Sequence, residues 1–290
     1  MMDGMTIEFR KVTVLGTGVL GSQIAFQTAF HGFDVTAYDI DDAALTAART
    51  RFDDLAAVYQ QDVTGADKSN TTATAAGITL TTDLAAAAAE ADLIIEAVPE
   101  VLEIKRDLYG KLGALAPERT VFATNSSTLL PSDIVDYTGR PDRFLALHFA
   151  NHVWKFNTAE VMGTEQTDPA VFAAVAQFAK AIGMVPIELH REKAGYVLNS
   201  LLVPFLNSGI ELAAGGYAEP AAVDETWRIA TGAPMGPFQI LDIVGLNTPY
   251  NILINGNADH KKLAAWLKEN YIDKGKLGAA TGEGFYRYSA

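Results

Sequence analysis

Residues 12–39 read VTVLGTGVLGSQIAFQTAFHGFDVTAYD, and their order decides the fold. Val12, Val14 and Leu15 make an apolar run that leads straight into Gly16-Thr17-Gly18-Val19-Leu20-Gly21. A segment with helical patterning follows, and a second apolar run over 33–38 ends on Asp39. This is the order strand, glycine turn, helix, and strand closing on an acid, which dinucleotide sites require. Gly16 permits a tight turn out of the strand. Gly18, with no Cβ, lets a pyrophosphate approach the backbone, and Gly21 lets the helix pack against the sheet. The amides that begin the helix, at Val19 and Leu20, then face the phosphate charge. Asp39 stands where the second strand ends, one helix and one strand beyond Gly21. A carboxylate there accepts hydrogen bonds from the adenosine ribose and repels a 2′-phosphate, so the expected cofactor is NAD rather than NADP. A glycine turn that binds nothing remains the alternative.

Outward from this motif, strands and helices alternate. A helix is expected over 42–61, with Asp41 or Asp42 as its cap and Leu45, Ala48, Phe52, Leu55 and Tyr59 at helical spacing. The polar stretch 62–76 reads as a loop. Strands follow at 78–81, 92–98, 120–124, 144–149, 159–162 and 185–189, with helices to about Leu115 and over 169–182. Such alternation over residues 10–190 predicts a doubly wound α/β domain. Beyond it the pattern becomes helical, first over 194–216 with Tyr196, Leu198, Leu201, Leu202, Phe205 and Leu206, then in four shorter segments. The expected organisation is α/β for residues 1–191 and all-helical for 192–290.

Composition narrows the function classes. The 290 residues carry 22 basic and 35 acidic side chains, a net charge of −13. That balance argues against nucleic acid or an anionic membrane surface as partner. With no cysteine, disulfides, thiolate metal sites and a cysteine nucleophile are excluded. No His/Asp/Glu spacing suggests a metal. There is no apolar run of about 18 residues, and the opening MMDGMTIEFRK lacks the order of a signal peptide. A cytoplasmic protein with a small-molecule substrate is expected.

Ligands of open parallel sheets bind beyond the carboxyl ends of the strands. Glu100, with Lys105 a turn later, follows one strand. Asn125-Ser126-Ser127-Thr128 follows the next. His148 sits near the end of a third, and Glu160 begins the strand pattern after it. Oxidation of an alcohol by a nicotinamide needs a base for the hydroxyl proton. Imidazole suits this, and a carboxylate on its other nitrogen would fix the tautomer. Spacing alone does not bring His148 to Glu160. A core histidine, serines that cap a helix, and a solvated Lys105 are the competing readings. Asn199 is the polar residue of an otherwise apolar helix face, and His31 reads as a helix C-terminal cap.

At these residues the sequence resembles the 3-hydroxyacyl-CoA dehydrogenase family, which includes 3-hydroxybutyryl-CoA dehydrogenases. The likeness runs through VLGTGVLGSQIA at 14–25, Asp39, EAVPEVLEIK at 96–105, TNSSTL at 124–129 and LHF at 147–149 with Asn151 and Glu160. It continues in GYVLNSLLVPFL at 195–206, GAPMGPFQILDIVGLNT at 232–248 and TGEGFYRY at 281–288. The resemblance implies a Rossmann-like NAD domain, a helical domain that makes a homodimer contact, and interconversion of a 3-hydroxyacyl-CoA and its 3-oxo form in fatty acid metabolism. It makes His148 the base and Glu160 its orienting acid. Ser127 and Asn199 would hold the substrate oxygens. Gly16, Gly18, Val19, Leu20, Gly21, Asp39, Glu100, Lys105 and Asn125 would line the cofactor. Where the family reads His-Phe-Phe-Asn-Pro-Val, this chain reads His148-Phe149-Ala150-Asn151-His152-Val153, followed by Trp154 and Lys155. Trp154 is expected to narrow the acyl site and Lys155 to add a cation to it. Residues 41–76 set Arg49, Arg51 and Lys68 against Asp41, Asp42, Asp53, Asp54, Asp62 and Asp67, an awkward balance for the phosphates of CoA. A 3-hydroxy acid or sugar acid without CoA is the alternative substrate, and a non-catalytic NAD-binding module the alternative class.

Overall fold

Strands Lys11–Leu15 (β1) and Asp34–Tyr38 (β2) pair in parallel, joined by helix Val19–Phe30 (α1). Residues 7–288 are described in this computed structural model. The chain divides into two compact units, one ending at Val197 and the other beginning at Leu198. The first continues through Asp42–Asp62 (α2), Lys68–Gly77 (α3), Thr79–Thr81 (β3), Leu84–Ala88 (α4), Leu93–Glu96 (β4), Leu102–Leu115 (α5) and Val121–Thr124 (β5). Phe144–Phe149 (β6), Thr158–Gly163 (β7), Pro169–Ala181 (α6) and Val185–Leu189 (β8) complete it. The eight strands form one sheet in the order β3-β2-β1-β4-β5-β6-β7-β8.

Every residue of β4, β5 and β6 is buried. Helices cover both faces of the sheet centre, so its strands read as continuous apolar runs rather than alternating ones. The strand order reverses between β1 and β4, and the crevice outside their carboxyl ends is the switch point where doubly wound sheets bind ligands.

One pairing departs from the expected alternation. β6 and β7 are antiparallel, with no helix between them. Their register sets Leu145 opposite Gly163, Leu147 opposite Val161 and His148 opposite Glu160. β7 and β8 then run parallel to each other.

Two elements differ from the sequence reading. The expected loop over 62–76 contains α3. Asp67 accepts from the amides of Ser69 and Asn70 at 2.7 and 2.9 Å, and the Asn70 side chain accepts from the Asp67 amide at 2.9 Å. This reciprocal capping box starts a helix that buries only Thr71 and Ala75, so its composition stays polar. The long helix expected from 194 begins at Leu198, because Gly195 and Tyr196 both take positive φ, +80° and +51°.

The second unit holds Leu198–Ala214 (α7), Pro220–Thr231 (α8), Pro237–Val244 (α9), Asn247–Ile254 (α10) and Ala258–Asn270 (α11). They pack around Leu206, Ile210, Phe238, Leu241, Leu246, Leu253 and Leu267. Two buried aspartates organise it. Asp224 accepts from the amides of Phe238 and Gln239 at the start of α9, and Asp242 accepts from those of Phe285 and Tyr286. Among the described residues, no helix is long and apolar enough to cross a membrane.

Candidate active site

The turn after β1 assigns each glycine a separate task. Gly16 has φ +91°, and a Cβ there would stand 2.6 Å from the Ala97 carbonyl oxygen. A Cβ on Gly21 would meet the Gly16 carbonyl oxygen at 1.9 Å, so only glycine lets α1 pack this close to the turn. At Gly18 nothing lies within 4 Å of that position. The backbone there faces open space, and Gly18 caps α1 without a side chain. The first amides of the helix, at Val19 and Leu20, have no carbonyl a turn earlier to bond. At the end of β2, Asp39 Oδ2 accepts from the Thr17 amide and hydroxyl at 2.7 and 2.6 Å, which holds the acid beside the glycine turn. An open backbone at a helix N-terminus with a carboxylate at the neighbouring strand end fits the diphosphate and ribose of NAD. At the far end of α1, His31 is the C-cap, as its sequence position suggested.

The end of β4 holds an acid that the strand pattern does not single out. Glu96, fully buried, is paired at 2.6 Å with Lys105, which is itself 1% exposed. The Glu96 carboxylate also accepts from Thr124 Oγ1 at 2.7 Å and the Val98 amide at 2.9 Å. Lys105 is therefore not a solvated helix charge, since its ammonium also lies 3.2 Å from Glu100. The signal was an acid at the end of an otherwise apolar strand, LIIE. Glu100 collects the following loop: its Oε1 accepts from the Ser126 hydroxyl at 2.5 Å and the amides of Ser127 and Thr128 at 2.9 and 2.8 Å. Burial pushes the Glu100 carboxyl up. The Ser126 hydroxyl, the Lys105 charge and the Thr128 donors outweigh it and hold the group at about 2. Asn125 is a brace: its side-chain oxygen accepts from the Phe149 amide at 2.9 Å, tying the ends of β5 and β6.

His148 and Glu160 meet because the β6–β7 register puts them opposite each other, at 4% and 3% exposure. His148 Nδ1 lies 2.9 Å from Glu160 Oε2, and Nε2 lies 3.1 Å from Ser127 Oγ. The second Glu160 oxygen accepts from the Val197 amide at 2.8 Å. The imidazole thus has a buried carboxylate on one nitrogen and a hydroxyl on the other, the arrangement that poises a histidine for proton transfer. Tyr196, which the sequence pattern places on a helix face, stacks on the His148 ring instead, with centroids 4.5 Å apart. Nothing in the sequence marks it beyond the preceding glycine. Asn199 belongs to the helical unit, where it lines a cavity of about 70 Å³ with Leu202, Leu206, Val244, Pro249 and Ile252.

The loop after β6 is fastened to α1 and α2. His152 has φ +61°, and its amide donates to Gln23 Oε1 at 2.7 Å. Proline at this position would have neither the N–H nor access to that φ. The Trp154 indole donates to Asp62 at 3.0 Å and its ring lies 5.6 Å from that of Tyr59, so this side chain is occupied against α2. Lys155 is exposed.

Residues 11–193 match the family model for the NAD binding domain of 3-hydroxyacyl-CoA dehydrogenase, and residues 195–288 match that for its C-terminal domain. The mitochondrial hydroxyacyl-coenzyme A dehydrogenase of Rattus norvegicus is 33% identical, with 97% of this chain and 92% of that protein covered. A solved diketoreductase, described for substrate-directed dual catalysis of dicarbonyl compounds, is 66% identical with a TM-score of 0.95 over 97% of this chain and 99% of its own. The (S)-3-hydroxybutyryl-CoA dehydrogenase of Ralstonia eutropha is 28% identical with a TM-score of 0.82, covering 98% of this chain and 100% of its own. Matches to both domain models over nearly the whole chain, beside the dinucleotide turn, lead to one assignment: the chain belongs to the 3-hydroxyacyl-CoA dehydrogenase family and is an NAD-dependent oxidoreductase.

Proposed function

We propose that the protein interconverts the 3-hydroxy and 3-oxo forms of a short acyl substrate, of which 3-hydroxybutyryl-CoA and acetoacetyl-CoA are the type pair, with His148 as general base and acid. The observation that carries the reading is the buried His148–Glu160 pair whose other ring nitrogen faces Ser127. NAD held at the glycine turn and Asp39 would supply the hydride chemistry at C3. His148 Nε2 takes the 3-hydroxyl proton as C3 becomes a carbonyl, and gives it back in reverse. Glu160 keeps the Nδ1 proton in place and stabilises the imidazolium. Ser127 and Asn199 hold the substrate oxygens. Gly16, Gly18, Gly21 and the amides of Val19 and Leu20 hold the diphosphate, and Asp39 the ribose. Glu100, Lys105 and Asn125 form the wall on the nicotinamide side. The reading extends to a cytoplasmic homodimer. The test is NADH oxidation with acetoacetyl-CoA, where His148→Ala is expected to lower kcat roughly 10²–10⁴-fold. Unchanged turnover in that variant would remove His148 from the reaction.

A second reading, a dicarbonyl substrate without CoA, has observations of its own. The diketoreductase is far more similar to this chain than the two acyl-CoA enzymes are, at 66% identity against 33% and 28%. Arg49 and Arg51, two of the three cations in the acidic 41–76 stretch, donate to the carbonyls of Ala75 and Thr17. Assaying acetoacetyl-CoA beside ethyl acetoacetate and free acetoacetate separates the two. A higher kcat/KM for the thioester favours the first reading, and a higher value for the ester favours the second.

A further inference from the structure

We propose that Tyr196 is a positioning residue that fixes the plane of the His148 ring and, through Ser126, the loop that carries Ser127. The inference rests on His148 being the general base. A hydrogen bond from Nδ1 to Glu160 holds one edge of the imidazole, but the ring can still tilt about that bond. Its face must be held by something else. Tyr196 supplies the face: the two rings are 4.5 Å apart at an interplanar angle of 16°. Its hydroxyl donates to the Ser126 carbonyl at 2.8 Å, one residue from the Ser127 hydroxyl that meets Nε2. Burial, followed by the charges of Glu100 and Glu160, raises the phenol well above its ordinary range, so the hydroxyl stays a donor throughout the working pH range.

The backbone of the same turn completes the arrangement. Gly195 and Tyr196 stand in succession at φ +80° and +51°, a conformation an L-residue such as tyrosine avoids unless its surroundings impose it. The next amide, at Val197, donates to Glu160 Oε1 and leaves Oε2 for His148. Two consecutive residues, Tyr196 and Val197, thereby reach the histidine, its carboxylate and the serine loop. Tyr196 is 1% exposed, so none of this depends on a mobile surface side chain.

Tyr196→Phe keeps the stack and loses the tether to Ser126. Tyr196→Leu loses both. With whichever of acetoacetyl-CoA and ethyl acetoacetate turns over faster, the leucine variant is expected to lose kcat by about 10²-fold, the scale of a misplaced catalytic group. Its KM and its affinity for NADH should stay near wild type. The phenylalanine variant should recover to within about tenfold of wild type. A readout independent of turnover is the pH titration of the His148 ring by nuclear magnetic resonance in the cofactor-free protein. Its midpoint should move in the leucine variant and return in the phenylalanine variant. A leucine variant with wild-type kcat and an unmoved His148 titration overturns the inference. So does a loss of kcat matched by an equal loss of NADH-binding sites with the titration unmoved, which is the signature of a merely structural role. His148→Ala runs alongside. If it retains turnover, the catalytic reading itself fails and takes the inference with it, whereas an inactive His148→Ala beside unaffected Tyr196 variants rejects the role of Tyr196 alone.

Discussion

Glu160 divides its two oxygens between different donors, Oε2 to His148 Nδ1 at 2.9 Å and Oε1 to the Val197 amide at 2.8 Å. Both partners need an acceptor. In Glu160→Gln one of them would face an amide nitrogen instead, and the imidazole would escape by moving its proton to Nε2, where it can no longer accept one from substrate. That variant is expected to fold and bind NADH, yet lose kcat roughly 10²–10⁴-fold, as for other orienting carboxylates. Steady-state kinetics with NADH titration checks it, and near wild-type kcat would show that Glu160 does not set the tautomer. Glu100 makes a prediction about stability. Its folded value of about 2 lies below the ordinary 4.5, so its contribution is fully present above about pH 4.5 and is lost as the pH falls towards 2. The urea midpoint of Glu100→Gln should thus trail wild type at pH 7, and the gap should narrow below about pH 4.5 and close as the pH nears 2. A gap that stays constant over that range would mean that charge is not what Glu100 contributes. Asp39, the three glycines and His148 were legible because each stands at a fixed place relative to a strand end. Glu96 and Tyr196 were not: one is concealed in an apolar strand, the other in a turn whose residues follow a helical pattern.

At the scale of elements, the packing of α1 on β1 separates two glycines that a sequence motif treats alike. Gly18→Ala adds a methyl into open space at φ −61°, a backbone alanine accepts. Its unfolding free energy should stay within about 0.5 kcal/mol of wild type. Its Kd for NADH should rise by about tenfold or more, because the methyl stands where the pyrophosphate approaches the backbone. Gly21→Ala would set a methyl 1.9 Å from the Gly16 carbonyl oxygen, so α1 must shift. A cost of about 1–3 kcal/mol in stability is expected, with cofactor affinity lost as a consequence. Thermal melts and NADH fluorescence titrations on both variants check the contrast, and a Gly18→Ala enzyme with unaltered NADH affinity would place the diphosphate elsewhere. Elements with strong apolar patterning, β1, β2, β4 and α5, were readable in outline. α3 was not, because its start depends on the Asp67–Asn70 exchange of hydrogen bonds and not on an apolar stripe. The meeting of His148 with Glu160 was unreadable for another reason. Their separation along the chain becomes a contact only if the two strands are antiparallel and in one particular register, and that pairing is decided by the sheet as a whole.

At the scale of the whole molecule, the helical unit leaves Leu201, Tyr217 and Ile229 at 70%, 78% and 77% exposure. Ile243 and Ile252 are also exposed, so the apolar surface involves four of its five helices as well as the turn at Tyr217. Scattered single residues need no explanation, but several on one small unit are what a homodimer covers. The tail of the chain is committed elsewhere: Phe285 and Tyr286 donate their amides to Asp242, and a Cβ on Gly284 would stand 2.0 Å from that carboxylate. The expected solution mass is therefore twice the 31.0 kDa of one chain. Light scattering behind a sizing column should show this at micromolar concentration. Leu201→Asp, Tyr217→Asp and Ile229→Asp test the surface one position at a time. A residue inside the contact buries a charge in the dimer and should shift the mass towards the monomer, with NADH still bound by the first unit. A wild-type protein that stays monomeric with cofactor present would sink the dimer. A dimer indifferent to all three changes would put the contact on another face.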